Sequence, residues 1–346
     1  MPFPELNERE RRVLEAVIKS YVETAEPAGS RTLSRRFALG VSPATIRNTM
    51  SDLEEKGFLF HPHTSAGRVP TDKAYRVYVD SLTRLAPVVT PESERLAEEL
   101  ALGGSAIETI LRRAAQTLGV ITQELGVAIG PRLDRAVLQR LELVRLSSER
   151  ILLVLTLQGG AVRTIFVDVR GEIADIALVE VCAVLNERLA GLTLSEVRAT
   201  LSERLRGSAP TACATELLNI FVQEGEQLFD VALPTDEDNV VLGQASLLAD
   251  QPEFASRENM RKLMALTDTR RHLAEVLRGR TDGGISITIG NEHANPTLEG
   301  FTVVTAEYRA GSLTGVIGVI GPTRMPYDKV ISLVNHTSRL VTDLLD

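Results

Sequence analysis

Between Ser42 and Lys56 one short segment carries two different stripes at helical spacing: Ala44, Arg47, Asn48 and Ser51 fall on one side, and Ile46, Met50 and Leu53 on the other. The polar stripe has the chemistry of a major-groove reader. Arginine can bond guanine bidentately, asparagine can bond adenine, alanine tolerates close approach to a thymine methyl, and hydroxyls such as those of Ser42 and Thr45 can hold phosphate or base edges. Further on, Arg68 beside Gly67 has the character of a loop-tip arginine that enters a minor groove or clamps phosphate, with Thr64 and Ser65 as short phosphate donors. His61 and His63 stand two apart, but no acid or cysteine completes a metal site nearby, so a structural or phosphate-contacting role is expected and no metal. Arg31, Arg35, Arg36, Lys73 and Arg76 add a diffuse positive field. The competing reading of all these residues is the solvated face of a protein-binding module.

The elements that must position this chemistry are legible around it. Asn7 and Glu10 make a capping box ahead of Val13, Val17, Ile18, Tyr21 and Val22 at helical spacing. Pro27 and Gly29 close that region, Ser30 is expected to cap a short helix carrying Leu33 and Phe37, and Leu39-Gly40-Val41 makes a tight turn. Ser42 then caps the third helix, Pro43 fits its first turn, and Gly57 provides a left-handed exit. A strand from Phe58 to His61, a loop through Gly67 and a return strand at Arg68 and Val69 complete a winged helix-turn-helix.

The 346 residues suggest two or three domains. Net charge is -8, yet residues 1–86 hold 13 basic against 11 acidic residues while the rest holds 25 against 35, so a mildly basic module precedes an acidic body. With no long apolar run or signal-like N-terminus, a cytoplasmic protein without a membrane partner is expected. Cys182 and Cys213, lacking a CxxC neighbour, read as small hydrophobes.

After a helix from Tyr75 to Arg84, residues 87–91 look like a linker. A helix with a Ser105/Glu108 capping box follows, with Ile107, Leu111, Ala114, Leu118, Ile121 and Leu125 along one face. Three strands come next, near 137–146, 151–157 and 162–169, forming an antiparallel meander. Helical patterns run from about 174 to 280, including 179–190, 194–205 and 214–229. Strands return at 285–289, 301–308 and 313–320 before a last helix from Tyr327 to Leu345. The expectation is a sheet interrupted by a helical insertion.

These residues resemble the HrcA family of bacterial heat-inducible transcription repressors. The likeness is carried by Ser42-Pro43-Ala44-Thr45-Ile46-Arg47-Asn48, by the stretch from Pro62 to Thr71 with Tyr75 to Asp80, by Leu185 to Thr193, and by Gly318 to Tyr327, in family order along nearly the whole chain. The resemblance implies an α+β multidomain protein: a winged helix-turn-helix (1–86), a GAF-like α/β domain with an antiparallel sheet in two parts (87–172 and 241–346), and an inserted, mainly helical dimerising domain (173–240). It further implies a non-enzymatic repressor of chaperone operons that binds double-stranded inverted-repeat operator DNA as a homodimer and is kept active by the GroE chaperonin.

Two alternatives stay open. A GAF-like body could bind a small metabolite and make this a ligand-sensing regulator, although Gly283-Gly284, Gly290 and Gly300 read better as turn residues than as phosphate cradles. No GxxxxGK[ST], GxSxG or HExxH occurs, and His272, His293 and His336 are isolated, so no enzymatic activity and no cofactor are expected. The Gly318 to Tyr327 block admits an interdomain contact through Arg324, but strand-to-helix turn chemistry is the preferred reading.

Overall fold

A computed structural model describes residues 6–62, 67–82, 91–101, 107–158, 162–169, 173–207, 212–232, 239–268, 270–278 and 284–345. The first compact unit comprises residues 1–128, 242–306 and 317–340, and the second residues 129–241, 307–316 and 341–346. Among the described residues no helix is long and apolar enough to cross a membrane, and no group of metal-binding side chains converges.

The chain opens with α1 (Glu8–Thr24), α2 (Ser30–Arg36) and α3 (Pro43–Glu55), followed by two short antiparallel strands, β1 (Leu59–Phe60) and β2 (Val69–Pro70), and by α4 (Asp72–Leu82). The capping box of α1 forms as its sequence predicts: Glu10 N–H donates to Asn7 Oδ1 at 2.9 Å and Asn7 N–H donates to Glu10 Oε2 at 3.0 Å. Gly40 and Gly57 adopt positive φ of 70° and 77°, as the turn after α2 and the exit from α3 require. One detail differs. Ser30 is the first residue of α2 rather than its cap, which falls on Gly29 and has no side-chain bond.

Beyond α4 come α5 (Pro91–Ala101), α6 (Ile107–Thr122) and β3 (Leu125–Ile129). Leu125, expected on the face of α6, begins the strand instead, because the left-handed Gln123 (φ 60°) ends the helix first. Ser105 of the expected capping box lies outside the described residues. A second group follows: β4 (Leu138–Arg145), β5 (Arg150–Leu157), β6 (Val162–Asp168), α7 (Asp175–Leu189), α8 (Leu194–Leu205) and α9 (Ala212–Ala232). The chain then runs through β7 (Val240–Leu242), α10 (Ser246–Ala249), α11 (Arg257–Asp268), α12 (Arg270–Arg278), β8 (Ile285–Ile289), β9 (Phe301–Ala310), β10 (Leu313–Pro322) and α13 (Tyr327–Leu345).

The strands make separate sheets, ordered β7-β3-β10-β9-β8 and β4-β5-β6. This corrects the expectation of a single interrupted sheet, since the meander β4-β5-β6 pairs with none of the other strands. Strands β4 to β6 alternate inward and outward, and their inner residues Leu141, Leu153, Leu155 and Ile165 share one hydrophobic core with Val181, Leu185, Leu201 and Phe221 of α7 to α9. Asn186 on α7 fastens the edge strand, accepting from Leu141 N–H at 2.9 Å and donating to Leu141 O at 2.7 Å. Cys182 Sγ lies 3.2 Å from the same carbonyl. In the five-stranded sheet, β3 lies against α6 so closely that a Cβ at Gly126 would sit 1.8 Å from Ala115 O, and Gly243 N–H donates to Gly126 O at 2.7 Å.

Candidate nucleic-acid interface

The third helix is built as a presenting surface. Ser42 Oγ accepts from Thr45 N–H at 3.2 Å, capping α3, and also lies 3.0 Å from Thr45 Oγ1. Pro43 occupies the first turn, where an N–H would have no helical partner. Ile46, Met50 and Leu53 are buried, while Ala44, Arg47, Asn48 and Ser51 are exposed and Thr45 is half-buried. Helices α1 and α2 pack against α3 from behind, with Val17, Ile18 and Leu33 completing the core of the module. Both faces of the predicted helix are therefore where its periodicity puts them.

At the far end of α3, Lys56 Nζ reaches both carboxylate oxygens of Glu10 at 2.8 Å, and Lys73 Nζ donates to Lys56 O at 2.7 Å while standing 4.3 Å from the centre of the Phe58 ring. Glu10 is nearly buried, and the Lys56 ammonium, aided by the Asn7 N–H, holds its carboxyl below the usual carboxylate range against the opposing effect of burial.

Arg68 is not the loop-tip arginine the sequence suggests. Its backbone exchanges two hydrogen bonds of 2.9 Å with Ala28, and its guanidinium pairs with Glu54 Oε2 of α3 at 2.7 Å. Only 18% of the side chain is exposed. Gly67 permits this approach, because a Cβ there would stand 2.3 Å from Ala28 O. Arg68 thus props the hairpin against the end of α3, and the sequence offers no signal for that because Glu54 and Ala28 are remote along the chain. His63, Thr64 and Ser65 lie outside the described residues, and His61 is half-buried.

Of the basic field, Arg31 and Arg35 are exposed on α2. Arg36 is paired with Glu23 instead. Arg76 is likewise withdrawn from it, for it grips Glu292 and donates to Ile287 O at 2.8 Å. The exposed set that the structure brings to one module is therefore Ser42, Ala44, Arg47, Asn48, Ser51, Arg31 and Arg35.

Residues 108–331 match the family model described as the HrcA protein C-terminal domain. Over 97% of both chains the sequence is 43% identical to the heat-inducible transcription repressor HrcA of Chlorobium phaeobacteroides strain BS1, and it is 38% identical to that of Geobacter sulfurreducens over 99% of both. A solved structure described as a hypothetical protein shares the fold at a TM-score of 0.64 and 23% identity, covering 98% of this chain and 100% of that one. Similarity of this extent defines a heat-inducible transcription repressor. The chain belongs to the HrcA family.

Proposed function

We propose that residues 1–86 form a winged helix-turn-helix whose helix α3 lies in the major groove of an operator, with Arg47 and Asn48 facing base edges and Ser42, Ala44, Thr45 and Ser51 lining the approach. The observation that carries this reading is the division of α3 into a buried apolar stripe and an exposed stripe of arginine, asparagine and small residues. Arg31 and Arg35 on α2, and His63, Thr64 and Ser65 in the loop, serve as phosphate-side contacts. Arg68 holds the hairpin through its pair with Glu54.

Two copies share an inverted-repeat operator, each presenting one α3 to successive turns of the duplex. The module of β4 to β6 with α7 to α9 is the dimerising part. Its support is the outward face of the small sheet, where Val162 and Phe166 are 53% and 61% exposed. The five-stranded body is GAF-like. Family membership supports the remainder: the protein works in the cytoplasm, represses chaperone operons, and is kept DNA-competent by the GroE chaperonin.

Footprinting with the purified chain on the promoter regions of the host's own chaperone operons tests the reading. Protection of a palindromic segment that survives random competitor DNA is the expected result, and binding that such competitor abolishes overturns it. Added chaperonin should raise the fraction of active repressor while leaving the protected segment unchanged.

A further inference from the structure

Helix α1 closes on a left-handed cap, in which the Ala25 N–H donates to Tyr21 O at 2.9 Å, but this leaves the Val22 carbonyl without a partner from the helix end. Its last turn holds no basic residue, Ala25 turns left-handed (φ 55°), and the Glu26 N–H that could reach Val22 O lies 3.2 Å from Thr24 Oγ1 instead. The Val22 carbonyl is satisfied from 302 positions away, by Arg324 Nη1 at 2.8 Å. The other nitrogens of that guanidinium fork onto Glu253: Nη2 donates to Oε2 at 2.9 Å and Nε donates to Oε1. Side-chain exposure is 15% for Arg324 and 24% for Glu253, so the pair is largely withdrawn from solvent, with its cation at the negative end of the α1 dipole. Arg324 is therefore more than turn chemistry between β10 and α13.

A second fastening holds the neighbouring helix. Arg76 of α4 grips Glu292 and Ile287 O, and one turn earlier Asp72 Oδ2 accepts from Asn291 N–H at 3.0 Å. Gly290, at φ 47°, makes room for that carboxylate, since a Cβ there would stand 2.1 Å from it. One fastening would leave a pivot; two fix the angle about it. Because α1 packs directly on α3, that angle passes to the helix that meets DNA.

We propose that Arg324 is a positioning residue for operator recognition: by closing α1 and gripping Glu253, it sets the attitude of α3 and so the half-site spacing the dimer accepts. This rests on the dimeric, operator-reading function proposed above. The test is fluorescence anisotropy of the full-length chain on duplexes that keep the footprinted half-sites and vary the spacer by single base pairs. The unaltered protein should prefer its optimal spacer by about tenfold or more, and Arg324→Ala should reduce that preference to about threefold or less, with base preference inside a half-site unchanged. If Arg324→Ala fails to fold by circular dichroism, Glu253→Gln is read in its place and should lower the spacing preference in the same direction. Equal spacing discrimination in the folded variant and the parent overturns this proposal alone. A parent indifferent to every duplex overturns the operator reading and this proposal with it.

Discussion

Glu10 and Lys56 join the two ends of the reading module: the carboxylate that closes the capping box of α1 also receives, at 2.8 Å, the ammonium that follows α3. One side chain thus ties the start of the first helix to the finish of the third.

That pairing sets a pH dependence. Glu10 has a folded pKa below its ordinary value of 4.5, so its contribution is present above that value and is lost as pH falls through the depressed folded value. Glu124 is buried with the opposite sign, since burial drives its carboxyl well above 4.5 while Gln251 donates to it at 3.3 Å. Its contribution is fullest below 4.5 and is lost as pH rises towards the folded value. At neutral pH Glu10→Gln should destabilise the protein and flatten its acid limb, whereas Glu124→Gln should stabilise it. Thermal melts between pH 3 and 8 decide, and matching signs for the two variants would refute the assignment.

Ser42 has two separable duties. Removing the cap with Ser42→Ala should cost about 1 kcal/mol of stability. Ser42→Asp keeps the cap but adds an anion where DNA phosphate is expected, so it should preserve the melting temperature and weaken operator binding. Equal affinity for Ser42→Asp and the parent would remove Ser42 from the interface.

Arg47→Ala should cost about 1 to 3 kcal/mol of operator affinity and relax preference at a single base pair. Its measure is binding to a panel of point-substituted operators at fixed salt. Uniform weakening across the panel would make Arg47 a phosphate contact.

The Gly126 contact is backbone on backbone and has no flexible side chain to yield. Gly126→Ala should therefore lose more than the roughly 1 to 3 kcal/mol usual for overpacking, read as a lowered urea midpoint. A midpoint within error of the parent would mean that α6 can lift off β3 cheaply.

What the sequence discloses is local. Ile46, Met50 and Leu53 reveal α3 because their period is that of the helix they make, and Tyr327 to Leu345 delimits α13 for the same reason. Strands β4 to β6 were equally visible in their alternation. Their partnership was not, because alternation says that Leu153 and Leu155 face something apolar without saying whether it is a second sheet or α7 to α9. Strands β3 and β7 leave no mark in the pattern: β3 is buried along its whole length and adjoins a helix of similar composition, and β7 has only three residues. The sequence places Arg68 at a loop tip and offers Arg324 a contact without naming its partners, because Glu54, Glu253 and Val22 are brought to them only by the finished fold.

The trans closure of α1 also bears on the order of events during synthesis. At about 5 to 20 residues per second, a ribosome that has completed Val22 needs roughly 15 to 60 s to deliver the arginine 302 positions later. The amino-terminal helices can gather meanwhile, but the Val22 carbonyl at the end of the first stays without its arginine until translation is nearly over. A nascent repressor stalled before Arg324 should consequently show faster amide exchange at the end of its first helix than the released chain. Identical exchange in both would mean that closure waits for nothing downstream.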